Sequence, residues 1–252
     1  CAFNRQLNDT GIPYCFVYRQ QGGIKMIRIS TKEIIDILPY GDGKAILVEK
    51  KPLVNSTQFK AAYSVIDFEN KSKNVLTKNA YLLKKFGPAF KPISETIPNF
   101  VQCDAAILYD RRVLVIYPNG EAGIFDREGE LSWSGYFNYH EQTVYGLAPE
   151  NKYFWSICPA ENCVIRYYSQ TMQVDLRIGG KDAATFINPM HISSDGGDIF
   201  VCCGTNKVRK IDGSNFTVSD YLNFDEPIKQ YHRFGNHSIA VLSGGTYLLD
   251  ES

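Results

Sequence analysis

Four ionisable side chains stand out by position: Asp36, Asp104, His191 and His232, with Arg233 beside the last. Each falls on the leading strand of a strand-and-turn unit that recurs along the chain, so the repeat can carry them to a common axis. Asp and His converging on an axis can hold a divalent cation or supply a general base. A lone His on a strand is more often a hydrogen-bonded structural residue. The expectation is therefore no catalytic residue and no cofactor, with a divalent cation on Asp36, Asp104, His191 and His232 as the alternative. As ligand contacts the sequence offers Asp104, His191, His232 and Arg233, joined by the aromatics Phe59 and Phe90 from two long connections.

Other constellations carry less. The seven cysteines (1, 15, 103, 158, 163, 202 and 203) are odd in number and fall largely inside apolar runs. Buried reduced thiols fit this better than a disulfide framework. Cys158 and Cys163 flank a turn with Cys202-Cys203 one repeat away, but a zinc site wants four Cys or His ligands at tighter spacing. No G-x-S-x-G elbow, phosphate-binding P-loop, dinucleotide glycine motif or H-E-x-x-H occurs, which removes the readily recognised hydrolase, nucleotide and zincin readings.

The elements that position these residues are strands. Residues 186–212 hold the clearest unit. Pro189 opens an alternating run, Asp195-Gly196-Gly197-Asp198 reverses it into the apolar run from Ile199 to Cys203, and Gly204-Thr205-Asn206 reverses it again into Val208-Arg209-Lys210-Ile211-Asp212. Tight polar turns between period-two runs make a meander. The same pattern returns at Tyr145-Gly146-Leu147-Ala148 with Phe154-Trp155-Ser156-Ile157-Cys158, at Val113-Leu114-Val115-Ile116, at Ala45-Ile46-Leu47-Val48 and at Ser238-Ile239-Ala240-Val241-Leu242. Third strands end near 67, 126, 168, 212 and 250, in steps of 59, 42, 44 and 38. A period of roughly 40–45 residues with several strands per unit marks a β-propeller. The Pro-led strand, Asp/Gly turn, apolar strand, Asn-bearing turn and strand ending in Asp resemble an NHL repeat, clearest at 140–212. The resemblance implies a propeller fold more than an activity, because such folds host many functions.

The expected architecture is one all-β domain over residues 1–252, with six blades preferred and five as the alternative. Residues 14–18 and 24–29 read as a hairpin. It supplies either the middle of a sixth blade or the outer strand of the last one, with 24–29 pairing on 246–250 to close the ring. Closure matters because an open ring leaves two exposed sheet edges. Residues 68–100 form an irregular insertion, with a helix over 80–86 stopped by Gly87-Pro88.

Connections alternate between the two faces of a propeller, and both long excursions, 50–60 and 68–100, belong to one face. Loops carry function more often than scaffolds. The leading reading is thus a non-catalytic scaffold presenting that loop-rich face to a protein, peptide or saccharide. The expected site is a depression walled by 50–60 and 80–98, with Phe59, Tyr81, Phe86 and Phe90 either stacking on the ligand or anchoring the insertion. The alternative is a lactonase-like propeller hydrolase or lyase using a divalent cation at the channel mouth.

Twenty-seven basic and 27 acidic residues cancel, which argues against a broad nucleic-acid surface. No window reaches the ~18 consecutive apolar residues of a membrane span. A monomer in the cytoplasm is expected. Cys1 leaves a lipid-anchored or exported chain as the alternative; removal of an initiator Met ahead of it is the simplest account.

Overall fold

In all five second strands the apolar run is buried, and four of those strands lie inside four-stranded meanders while the last lies inside a five-stranded sheet. A strand reads as continuously apolar when both of its faces are covered, and here each sheet is packed between two others. A computed structural model describes residues 18–21, 24–53, 59–204 and 206–250. Strands β1 (Tyr18–Gln21) and β2 (Ile24–Ser30) come first. Blade 1 follows as β3 (Ile34–Pro39), β4 (Lys44–Pro52), β5 (Phe59–Asp67) and β6 (Ser72–Val75). Blade 2 is β7 (Asp104–Ile107), β8 (Val113–Ile116), β9 (Glu121–Phe125) and β10 (Leu131–Tyr136), trailed by a small hairpin of β11 (Asn138–Tyr139) and β12 (Gln142–Thr143). Blade 3 is β13 (Tyr145–Glu150), β14 (Tyr153–Cys158), β15 (Cys163–Tyr168) and β16 (Gln173–Gly179). Blade 4 is β17 (Pro189–Asp195), β18 (Asp198–Cys203), β19 (Lys207–Ile211) and β20 (Val218–Asn223). Blade 5 comprises β21 (Ile228–Phe234), β22 (His237–Leu242) and β23 (Gly245–Asp250).

The ring therefore has five blades, not the six preferred from the sequence. The strand at the N-terminus is the reason. β2 lies against β23, pairing Lys25 with Asp250, Ile27 with Leu248 and Ser30 with Thr246, and β1 adds a fifth, outer strand to the same sheet. These strands close blade 5, and among the described residues no strand remains for a sixth. The 59-residue step between third strands is likewise a single blade step, lengthened by a helical insertion. Closure pairs the first and last parts of the chain and removes the exposed edges of an open ring.

That insertion spans 76–103. Thr77 caps α1 (Lys78–Phe86) by accepting a hydrogen bond from the Ala80 N–H at 3.2 Å, satisfying one of the free donors of a helix start. Gly87, at φ 70°, ends the helix in a conformation that side-chain-bearing residues avoid, and Pro88 follows. A short 3-10 turn leads into α2 (Phe90–Thr96). Tyr81, Leu82, Phe86, Ile93 and Ile97 are buried in one cluster with Ile46 and Val48 of β4 and Val113, Val115 and Phe125 of blade 2. The helices thus fill the wedge between blades 1 and 2, where each buried aliphatic or aromatic side chain stabilises by roughly 1.5–3 kcal/mol. The other wedges are filled by the sheets themselves: Phe200, Phe224, Tyr231 and Leu242 between blades 4 and 5, and Trp155, Phe186 and Val201 between blades 3 and 4.

The five first strands run in the same sense around the axis. β13 touches β7 and β17, and β17 touches β21, whereas β3 stands farther from both its neighbours. The axis consequently holds a channel that widens beside β3. Among the described residues, no helix is long and apolar enough to cross a membrane.

Candidate functional site

The channel encloses about 670 Å³ and is lined by the first strands along their length. Its lining continues onto Gly41-Asp42-Gly43 and Gly235-Asn236, which are turns between first and second strands, and onto Glu69 of the third-to-fourth turn. Those turns share the face opposite to the helical insertion. Four of the five first strands carry a register shift against their second strand: between Ile34 and Asp36, Tyr145 and Ala148, Pro189 and His191, and Ile228 and Gln230. A bulge re-aims the side chains that follow it, and Asp36 and His191 stand immediately after theirs.

At the leading end of the channel a buried cation is fully paired. Lys85 of α1 is 3 % exposed. Its Nζ lies 2.6 Å from Asp36 Oδ2 and 3.0 Å from Tyr81 Oη, and the Tyr81 hydroxyl donates to the same Asp36 oxygen at 2.8 Å. Burial works against the Lys85 charge, but the Asp36 carboxylate outweighs it and holds the ammonium above its ordinary pKa. Burial, then the charge of Asp36, pushes the Tyr81 phenol far up, so it stays protonated and donates.

Asp104, the first residue of β7, is different. Its side chain opens into the lumen and takes no hydrogen bond or ion pair from the described residues. Solvent in the lumen reaches the carboxyl, yet protein encloses the lumen. Burial therefore raises its pKa, with Lys85 opposing and Asp36 reinforcing, to about 6.

Farther along, His191 of β17 and His232 of β21 meet edge to face, with ring centroids 4.7 Å apart. His232 also stacks parallel to Phe234 at 6.1 Å. His191 Nδ1 and His232 Nε2 are buried and have no hydrogen-bond partner. Burial, then the neighbouring imidazole, pushes His191 well below its ordinary value, and burial lowers His232 to about 3. Both rings are therefore neutral at physiological pH. Ser193 next to them donates to the Tyr231 carbonyl at 2.6 Å and ties β17 to β21. At the mouth Arg233 is occupied: its Nε donates to the Gly235 carbonyl at 2.8 Å, its Nη1 to Tyr221 Oη at 3.2 Å, and Asp195 lies 3.9 Å away.

The structure thus brings Asp36, Asp104, His191, His232 and Arg233 to one channel and leaves Phe59 and Phe90 out of it. Phe59 begins β5 under the Lys50 ammonium, 5.2 Å from the ring centroid. Phe90 is half-buried against the helical cluster, and Tyr81 and Phe86 are buried within it. The insertion's aromatics are anchors, and its contribution to the lumen is Lys84 and Lys85. Residues 54–58 of the expected second wall lie outside the described residues. Asp36 is already committed to Lys85 and Tyr81, and among the described residues no three His, Cys, Asp or Glu side chains converge to hold a metal. The four positions therefore do not fit a divalent centre.

Composition and spacing alone do not single out Lys85, the cation that the structure pairs with Asp36 at the channel. Its signal lies in the helix: Tyr81, Leu82, Lys85 and Phe86 share one face of a short helix, and a lysine in the middle of an apolar face needs a buried acid. The cysteines at 103, 158, 163, 202 and 203 are all free and buried; Cys1 and Cys15 lie outside the described residues.

No protein-family model and no curated protein matches the sequence. Among solved structures, the WD40 β-propeller domain of Doa1 is similar over 91% of this chain and 75% of its own, at 13% identity and a TM-score of 0.50. Streptogramin B lyase is similar over 96% and 84%, at 11% identity and 0.48. Virginiamycin B lyase from Staphylococcus aureus is similar over 90% and 73%, at 12% identity and 0.43. At such identities the first likeness speaks for the propeller fold and nothing finer, and the other two carry no argument.

Proposed function

We propose that this chain is a binding propeller that receives the end of a small polar molecule, a peptide or saccharide terminus, in its central channel. One observation carries the reading. Asp104 faces a roomy lumen with no hydrogen bond to the described residues, and His191 Nδ1 and His232 Nε2 of the same lining are buried without a described partner, although buried polar groups are as a rule paired. A lumen with a few convergent polar groups is the usual form of a ligand site.

The test is a thermal-shift and pull-down screen with peptides and oligosaccharides, repeated on Gln230→Trp, which fills the lumen. Ligands lost on filling support the channel. Ligands retained at full affinity overturn it and return the site to the loop-rich face.

A second reading has an observation of its own. Asp104, raised to about 6 by burial, titrates near neutrality, where a carboxyl both accepts and returns a proton effectively. A hydrolase or lyase using it as acid–base would show an apparent pKa near 6 in its pH–rate profile, and Asp104→Asn would abolish both the limb and the rate.

A further inference from the structure

We infer that the channel's ligand is an organic cation, an alkylammonium or guanidinium group seated against Asp104 with its chain running along the lumen past the two imidazoles. The inference rests on the channel being the binding site and adds the charge of what enters it. The reasoning is one of unused valence. Lys85 is spent on Asp36 and Tyr81, and Arg233 on Gly235, Tyr221 and Asp195. Of the lumen's cations that leaves Lys84, exposed at the edge of the insertion and without a partner among the described residues. Asp104 is the converse: an ionisable acid facing the lumen with no bond to the described residues.

The lumen's overall charge agrees. Five acidic residues line it, at 36, 42, 69, 104 and 195, against three basic ones at 84, 85 and 233. An acidic funnel between low-dielectric walls concentrates cations and speeds their arrival. A neutral imidazole can accept from an ammonium or guanidinium N–H. Neither His191 nor His232 holds a proton-derived charge that would repel one, since burial keeps both neutral.

The groups around Asp104 are Asp36 from β3, Lys85 from α1, the Cys103 thiol just ahead of β7, which burial raises to about 11, and the imidazoles of β17 and β21. β13 contributes the uncharged Leu147 and Pro149. Protonation of Asp104 therefore changes the lumen's charge, and His237, stacked on Phe68 at the far mouth, is a further titratable group of the lining.

Three five-carbon probes separate the possibilities: cadaverine, 1,5-pentanediol and glutarate. Each is titrated into the protein while the imidazole NMR signals of His191 and His232 are followed. Cadaverine is expected to shift those signals at least tenfold more tightly than the other two. Its affinity should fall about tenfold for each pH unit below about 6, as the carboxylate it needs is protonated. Asp104→Asn should weaken it at least tenfold and flatten the pH dependence. Equal binding of the diol or glutarate, or an Asp104→Asn variant that binds cadaverine normally, would overturn the cation while leaving the channel as the site. If none of the three moves either imidazole, the cation and the channel reading fall together.

Discussion

The wedge between blades 1 and 2 and the wedge between blades 4 and 5 handle polar groups in opposite ways. In the first, two helices intrude between the sheets and bring Lys85 and Tyr81 to Asp36, so a buried charge finds two partners. In the second, β17 and β21 pack directly, with the Phe200 and Tyr231 rings tilted against each other behind them and Ser193 bonded across. Each of its histidines, in the lining of the lumen, is left with one buried ring nitrogen that has no partner among the described residues. Both wedges contribute to the same channel, so the contrast is not one of burial against exposure. It teaches which polar groups are part of the scaffold and which are held in reserve for something that enters.

The largest effect should come from breaking the paired wedge. Lys85→Ala leaves Asp36 and Tyr81 facing an empty cation position, and removing one member of a buried pair costs about 3–5 kcal/mol. Urea denaturation should show that loss. The double variant Lys85→Met with Asp36→Leu should recover most of it, because an apolar pair of similar volume avoids the desolvation cost. A single variant as stable as wild type would mean that the ion pair is not structural, and the contrast between the wedges would collapse.

Next in size is the seam where the closing strand meets blade 1. Glu49 on β4 is 4 % exposed. It accepts from Ser30 of β2 at 2.5 Å and from Lys73 of β6 at 2.5 Å, with Lys32 at 3.7 Å. Glu49→Gln should cost about 1–3 kcal/mol, the range for a charge-assisted buried hydrogen bond. Burial works to raise the Glu49 pKa, but Lys73 and Ser30 outweigh it and hold it below 4.5. A depressed carboxyl contributes stability that is complete above its unfolded pKa and is lost as pH falls through the folded one. The wild-type advantage over Glu49→Gln should therefore shrink below about pH 4.5. An advantage constant down to pH 3 would assign the effect to packing alone.

How much of this was legible beforehand divides along the same line. The meander and the approximate ends of the third strands follow from period-two runs and turn residues, and the structure keeps them; of the two places those runs allow for 24–29, the structure has the one on the last blade. Blade count did not follow, because a helical insertion of this length imitates the spacing of a missing unit and the N-terminal hairpin has two possible homes. The channel residues were nameable because a propeller puts its first strands on the axis. Their orientation was not, since bulges before Asp36 and His191 shift the alternation that period-two counting assumes. Lys85 needed the knowledge of which helix face turns inward, which depends on contacts with blades distant in sequence.

The histidine wedge can be tested by taking its reserved groups away. A base whose folded pKa is depressed contributes stability that is present above its unfolded value, near 6.5, and declines as pH falls towards the folded value, about 3 for His232. His191→Phe and His232→Leu should each leave stability at pH 7 within about 1 kcal/mol of wild type, since no partner is lost. At pH 5 each variant should gain about 1 kcal/mol on wild type, a figure reduced for the access of lumen water. Matched denaturation curves at the two pH values measure this. A large loss at pH 7 would place a structural hydrogen bond where the channel shows none.

The smallest effect, and the sharpest on this question, belongs to Asp104. A carboxyl raised from 3.8 to about 6 binds a proton more tightly in the folded state than in the unfolded one. Its contribution to stability is complete below pH 3.8 and is lost as pH rises through about 6. At pH 7 the ionised group is therefore a cost to the fold, softened by the water that reaches it from the lumen. Asp104→Asn should raise stability at pH 7 by up to about 1 kcal/mol and change nothing at pH 3.5, a difference that paired thermal melts resolve. A group that the protein itself pairs would behave in reverse, as Glu49 should. If the asparagine variant is less stable at pH 7, Asp104 has a partner within the fold and belongs with Lys85 on the structural side. If it is more stable, the chain carries an acid that its own fold would be better without, and such a group is kept for what it binds.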